Sequence, residues 1–392
     1  MVKNVIVGLN SAGFNSSSAL IIDGNVAFAV EEERLIREKR TRKFPLKGLE
    51  LSLKAAGLTI KDVSAFAVAW NPAINLEAHI PAQSEKHRYL GEILYSVPSH
   101  LLKGRGNVGN HATQTVEMVD GSTVQIHYIR HHLCHAASYF ISPFDEAAVL
   151  TVDAFGEKDC TVFSRGRGNK LFEIWSQEFP HSLGAFYSTF TEFCGFAAQN
   201  DEWKLMGASS YGNTKTYYEK IKSLVKFLDD GGIELDLSYF NHYQFHRPGR
   251  FTRKLSDLLR LPPNIPDKPL TEEYYDVAAA AQAVTEDIYF HYLNKLHEEV
   301  KSPNIVLAGG VALNSVANGK IAERTPFKNI FIPSAPDDGG GSLGAAYYLY
   351  NHIQGNEKGS AQYSNYLGPE YTDTEIESTL NDYKLQHRRV DH

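Results

Sequence analysis

At 392 residues, with 43% hydrophobic and 22% charged positions, the chain is long enough for two lobes, each with its own core, and has the make-up of a folded soluble protein. Its formal net charge of -7 argues against a general nucleic-acid binder, and no window reaches the length of a membrane span. Cys134, Cys160 and Cys194 show no disulfide-framework spacing, and the opening stretch lacks a signal peptide's apolar core, so the expected setting is a reducing one, the cytoplasm.

Residues 4–9 predict a first strand, followed by a small-residue turn over 10–18 and strands at 19–22 and 26–30 joined by the hairpin signal Asp23-Gly24-Asn25. Glu31 to Arg34 close this meander, and a basic run continues to Lys43. A helix is expected over 45–57 with its terminal glycine, and a buried strand over 65–69. Helical pieces and a partly mobile loop are expected over 71–110, then a strand over 123–129.

The segment 130–140 carries three of the sixteen histidines. On a helix, His131 and His135 share one face a turn apart, close enough to hold one metal ion, whereas His132 points elsewhere. The alternative is a helix start with one buried histidine and two solvated ones. A metal reading needs a further ligand from far away in the chain.

The strand pattern then restarts at 146–153, 160–164 and 170–177, which suggests two lobes that each open with a three-stranded meander. The small-residue turns in both can surround a phosphate with backbone N–H groups, or be plain hairpins. Ser182 or His181 is a cap for a helix over 183–194. Asp201, Glu202 and Lys204 beside Trp203 and Met206 are either fixed at a partly buried site or a solvated helix start. Residues 215–270 shift to charged, then aromatic and histidine-rich, then proline-rich text, and read as an insertion that shapes specificity. Its His242 and His246 are a weaker histidine pair, set in loop text.

The clearest helix spans 271–299, with Thr271 as its cap. A strand at 304–308 runs into Gly309-Gly310, a context in which the backbone approaches a nucleotide, without the dinucleotide spacing. A strand at 329–332 leads to Asp337-Asp338 and three glycines, then a helix over 343–350. Asp338 or Asp337 is the distant carboxylate that completes a two-histidine, one-carboxylate metal set, unless the pair is only a turn device. The expected domains are 1–145, 146–350 with the insertion at about 215–270, and a 351–392 extension.

Six stretches together carry a resemblance: 31–34 (Glu-Glu-Glu-Arg), 131–138 (His-His-Leu-Cys-His-Ala-Ala-Ser), 179–187, 201–207, 309–319 and 335–346. They resemble the carbamoyltransferases of the nodulation and antibiotic-tailoring type. The main domain of those enzymes is Kae1-like, akin to the tRNA threonylcarbamoyladenosine enzymes and, more distantly, to the actin/Hsp70/sugar-kinase fold. The resemblance implies a duplicated, two-lobed α/β fold of that type with an insertion in the second lobe. It implies a divalent metal, iron or zinc, on His131, His135 and Asp338. It places Asn10, Ser16, Asp153 and Gly156 in phosphate loops, and Gly309, Gly310 and Asn314 beside the nucleoside. The implied chemistry joins ATP and carbamoyl phosphate into carbamoyl-adenylate, then transfers the carbamoyl group to a small-molecule hydroxyl. His132 is then a candidate general base, with Lys39 and Arg34 neutralising phosphate or carboxylate charge.

The chain departs from that pattern at Phe14-Asn15, where the family usually has His-Asp, and at Lys39-Arg40, where it has Lys-His. Family members also carry a C-terminal YrdC-type domain that makes the adenylate; it is not expected in these residues and would act in trans or in a longer chain. A homodimer stays open. The rival readings are a nucleotide- and metal-binding scaffold without turnover and an ATP-dependent small-molecule kinase of the same superfold.

Overall fold

The computed structural model describes residues 3–11, 13, 15–72, 74, 109–244, 249–361 and 364–390. The expected loop over 71–110 therefore lies almost wholly outside the described residues, as do Phe14 and His246.

Two mixed sheets form the frame. The first contains β1 (Val5–Asn10), β2 (Ser17–Ile22), β3 (Asn25–Glu31), β4 (Ala65–Val68), β5 (His111–Glu117) and β6 (Thr123–Ile129), in the order β3-β2-β1-β4-β6-β5. β1 is a continuous apolar run and is buried along its whole length, which suits a central strand covered on both faces. It pairs antiparallel with β2 and parallel with β4, and β4 pairs parallel with β6. The edge strand β5 is not evident in the sequence, because its polar, alternating text buries no full face.

The second sheet is built from β7 (Glu146–Val152), β8 (Asp159–Arg167), β9 (Lys170–Glu178), β12 (Asn304–Ala308) and β13 (Asn329–Phe331), in the order β13-β12-β7-β8-β9. β7, β8 and β9 form an antiparallel meander, and β7 pairs parallel with β12, which pairs parallel with β13. A small hairpin of β10 (Val225–Phe227) and β11 (Ile233–Leu235) stands apart.

The space between the sheets is filled by two helices. The helix His131–Ala136, continued by a tighter turn to Ile141, and the helix Gly341–Tyr347 share one apolar cluster with Ile6 and Ile21 of the first sheet and Val149 and Val306 of the second. Each such buried aliphatic side chain contributes roughly 1.5–3 kcal/mol. The two helices meet backbone to backbone at Gly344, where a Cβ would lie 1.9 Å from the Cys134 carbonyl oxygen. The helix Gly341–Tyr347, late in the chain, also packs on β1 and β2 of the first sheet.

The long helix Glu272–Val300 covers the second sheet with the buried run Ala278–Ala281. Thr271 stands at its N-terminus, but its hydroxyl bonds the Glu273 carboxylate and makes no backbone cap. Ser182 does cap the helix Leu183–Phe193, accepting from the Ala185 N–H at 3.1 Å. The stretch 215–270 is more than a surface addition: Ile221, Leu224, Ile233, Phe240 and Leu255 join the large core of the second half. Beyond Tyr347 the helix loosens into a π-helical turn at Tyr348–Ile353. The terminal helix Asp373–Asp382 carries a Thr372–Glu375 capping box and buries nothing. Among the described residues, no helix is long and apolar enough to cross a membrane.

Candidate metal centre and cleft

β6 delivers the chain to Arg130, which is anchored by ion pairs to Asp159 at 2.7 Å and Glu173 at 2.6 Å. The histidine helix starts at the next residue. Its first turn is gripped by Glu157, 1% exposed, whose carboxylate accepts from the His131 N–H at 2.9 and 3.1 Å and from the Asn71 N–H at 2.7 Å. The sequence offers no local reason for this contact, since it spans 26 positions.

His131 Nε2 and His135 Nε2 end 3.0 Å apart. Asp153, the residue after β7, brings Oδ2 to 3.2 Å from His135 Nε2 and 3.6 Å from His131 Nε2. Asp338 brings Oδ1 to 3.5 and 3.4 Å from the same atoms. One ligand atom of each residue lies within 4.8 Å of all the others. Two imidazole nitrogens and two carboxylate oxygens converging in this way are the donor set of a zinc or iron site, and the residues fit such an ion.

The electrostatics show how strongly the cluster draws positive charge. Burial pulls the His135 imidazole down, yet the Asp153 and Asp338 carboxylates raise it to about 10. Burial also disfavours the Asp153 carboxylate, but His131 and His135 hold it well below the ordinary carboxylate range.

Both aspartates are held from behind. Asp153 accepts from the Ala154 N–H at 2.7 Å and the Gly310 N–H at 3.3 Å. The Asp338 carbonyl accepts from Asn10 Nδ2 at 2.7 Å. Gly13 lies so close that a Cβ there would be 2.0 Å from Asp338 Oδ2. Asp337 caps the turn through the Gly339 N–H, and burial followed by the Asp338 and Glu31 charges raises its carboxyl to about 6.

A cleft with a cavity of about 180 Å³ opens on this cluster between the two halves. Asn15, Arg40, Asp337 and Asp338 line it, together with Asp153, Gly310 and Asn314. Tyr187, Glu202, Trp203 and Met206 form the wall from the second half. Glu202 is fixed there by the Ser188 hydroxyl at 2.6 Å and the Gln199 N–H.

Several expected site residues are placed differently. His132 is fully buried; Nε2 donates to the Asp159 carbonyl at 3.0 Å and Nδ1 accepts from the Thr151 hydroxyl at 2.8 Å. Burial, with His131 and His135 beside it, holds the ring well below the ordinary histidine range. It has no lone pair left to act as a base. His132→Gln is expected to cost about 1–3 kcal/mol of stability in a urea unfolding curve and to leave metal content unchanged. An unshifted curve with turnover abolished would restore a catalytic role.

Ser16 is equally spent: its N–H and hydroxyl both go to the Thr41 carbonyl. The Gly156 N–H is bonded to the Asp159 carbonyl at 2.6 Å, so neither residue presents a donor to a phosphate. Asp153 belongs to the cluster rather than to a phosphate loop. Asn10 supports Asp338 from behind. Gly309 lies against Val152, where a Cβ would be 2.3 Å from its carbonyl oxygen, while Gly310 and Asn314 face the cleft. The Asn314 side chain is tied to Gln282 by two bonds of 3.1 Å. Lys39 and Arg34 are exposed partners of Glu33 and Glu31 and do not line the cleft. Arg40, one position further on, does.

The fold and this cluster define a two-lobed α/β protein with a metal-type site at the base of its cleft. Residues 5–347 match the family described as carbamoyltransferase N-terminus, and the chain belongs to that family. It is 36% identical to an uncharacterized protein of Synechocystis sp., over 97% of this chain and 63% of that one. It is 29% identical to the nodulation protein NolNO of Sinorhizobium fredii, over 95% of this chain and 51% of that one. An uncharacterized protein of Methanocaldococcus jannaschii is 28% identical over 95% and 63%, respectively. The chain thus spans between 51% and 63% of the length of these relatives. Among solved structures, HypF of T. kodakarensis aligns with a TM-score of 0.42 at 10% identity, covering 90% of this chain and 48% of that one, a likeness too loose to carry an argument.

Proposed function

We propose that this chain is the transfer part of an O-carbamoyltransferase, passing the carbamoyl group of carbamoyl-adenylate to a hydroxyl of a small molecule. The observation that carries the reading is the meeting of His131, His135, Asp153 and Asp338 at the base of the cleft, in a chain of the carbamoyltransferase family. His131, His135 and Asp338 hold the ion, with Asp153 as a fourth ligand. Bound there, a divalent ion would supply Lewis-acid polarisation of the acyl and phosphoryl oxygens.

The chain's own residues do the remaining work. Glu157 fixes the histidine helix, and the Ala154 and Gly310 N–H groups aim Asp153. Gly310 and Asn314 present a close backbone wall to the nucleoside. In the transfer, the acyl C–O bond to the adenylate breaks with its electron pair leaving on AMP. The new C–O bond forms to the acceptor, and the hydroxyl proton passes to solvent. ATP and carbamoyl phosphate are the source of the adenylate, made by a YrdC-type domain or protein acting with this chain.

The strand orders support a duplicated fold of the actin/Hsp70/sugar-kinase type. β3-β2-β1-β4-β6 and β9-β8-β7-β12-β13 run in the same sequence of antiparallel and parallel pairings. The test is incubation of the chain with synthetic carbamoyl-adenylate and a panel of hydroxyl compounds, read by mass spectrometry. Carbamoylated acceptor with equimolar AMP is expected. AMP release without product at any acceptor, or a phosphorylated product when ATP replaces the adenylate in a parallel incubation, would count against the reading.

A further inference from the structure

Asn15 lines the cleft beside Arg40, Asp153, Asp337 and Asp338, in the left-handed backbone region at φ 60°, which asparagine tolerates better than most residues. Its Nδ2 donates to Asp337 Oδ2 at 2.9 Å. A carboxylate oxygen accepts, so this bond fixes which way the amide is turned and leaves Oδ1 as the other end. That oxygen is buried and has no hydrogen-bond partner among the described residues. A buried acceptor left unmade is costly, and a ligand that brings an N–H would satisfy it.

The same cavity also receives Arg40, and its loop is tied down. Glu33, 7% exposed, accepts from the Arg40 N–H at 2.7 Å with one oxygen and from Lys39 Nζ at 2.7 Å with the other. The backbone at Arg40 is itself turned to φ 51°. This end of the cleft therefore combines an amide acceptor, a guanidinium and the metal-type cluster. The matching ligand carries an N–H donor next to anionic oxygens.

We propose that Asn15 reads the carbamoyl group. Its Oδ1 accepts an N–H from the donor's terminal amide while Arg40 takes phosphoryl oxygens. This rests on the carbamoyl-transfer reading above and adds the residue that separates carbamoyl from other acyl groups. An acetyl donor presents a methyl group to Oδ1 and leaves it unpaired. Sites built to bond an N–H reject the analogue lacking it far more sharply than an apolar pocket rejects a methylene.

The test is calorimetric titration of the zinc-loaded chain, without acceptor, using two unreactive sulfamate analogues, of carbamoyl-adenylate and of acetyl-adenylate. The parent chain is expected to prefer the carbamoyl analogue by about tenfold or more. Asn15→Gly suits the backbone at this position and removes the acceptor, so it is expected to bind both analogues alike. Arg40→Gln is expected to weaken both equally and keep the preference. Zinc stoichiometry equal to the parent's serves as the folding check on both variants. A parent without the preference, or a preference unchanged in Asn15→Gly, overturns the role of Asn15 and leaves carbamoyl transfer standing. Failure of the parent to bind either analogue overturns both.

Discussion

Replacing His131 and His135 together by alanine is expected to abolish stoichiometric binding of a divalent ion. Among the described residues, the two Nε2 atoms are the only nitrogen donors in the cluster, and they stand 3.0 Å apart. Loss of a residue that merely supports a metal ligand commonly costs 10–100-fold in affinity, so loss of two ligands should exceed about 100-fold. Alanine suits the helix, and Glu157 still holds its first N–H, so the variant is expected to fold. Asp153→Asn separates ligand from scaffold. It keeps Oδ1 for the Ala154 N–H, puts an amide nitrogen where Oδ2 faces the histidines and the weaker, 3.3 Å Gly310 N–H contact, and removes the negative charge, so zinc affinity should fall while the unfolding midpoint moves little. Elemental analysis and a zinc titration read both variants. Full metal content in the double variant would place the ion elsewhere.

Gly344→Val is expected to give the second large effect, from the opposite side of the site. Its Cβ would sit 1.9 Å from the Cys134 carbonyl oxygen and 2.7 Å from the carbonyl carbon. Both are backbone atoms of the histidine helix, so relief requires the two central helices to move apart. One carries His131 and His135, and the other begins just after Asp338. Overpacking of this kind costs about 1–3 kcal/mol or more, and the separation also opens the donor set. Urea unfolding should shift to lower concentration and metal content should fall with it. Gly207→Ala is the contrast. A Cβ there meets nothing within 4 Å, and the position is helical, so the same kind of change should stabilise by about 0.5–1 kcal/mol.

The sequence carries most of the strands because β1, β7 and β12 are mostly apolar runs between turn residues. It carries the helical pairing of His131 and His135 because four positions make about one turn. It does not carry what depends on distant partners. Asp153 looks like a turn residue after a strand. It faces the histidines only because β7 lies next to β12 and the histidine helix crosses their carboxyl ends. That position was a usable signal, since ligands of open α/β sheets gather at strand carboxyl ends.

His132 looks as available as its neighbours in the sequence. Its burial and its two bonds, to Thr151 and Asp159, belong to another sheet. In the basic run, the choice between Lys39 and Arg40 is made by Glu33. Its carboxylate binds the lysine and the arginine's backbone, so that the guanidinium lines the cleft.

The most direct test of a metal-assisted carbamoyl-transfer site is one sample read two ways. Metal content and single-turnover transfer from carbamoyl-adenylate are measured on the same purified chain, before and after removal of the ion by a chelator and after its return. The expected result is one ion per chain, with transfer lost on chelation and restored on reloading, and both absent in the His131→Ala, His135→Ala variant. Transfer that proceeds undiminished in the chelated chain or in the variant would contradict the assignment of the chemistry to this cluster.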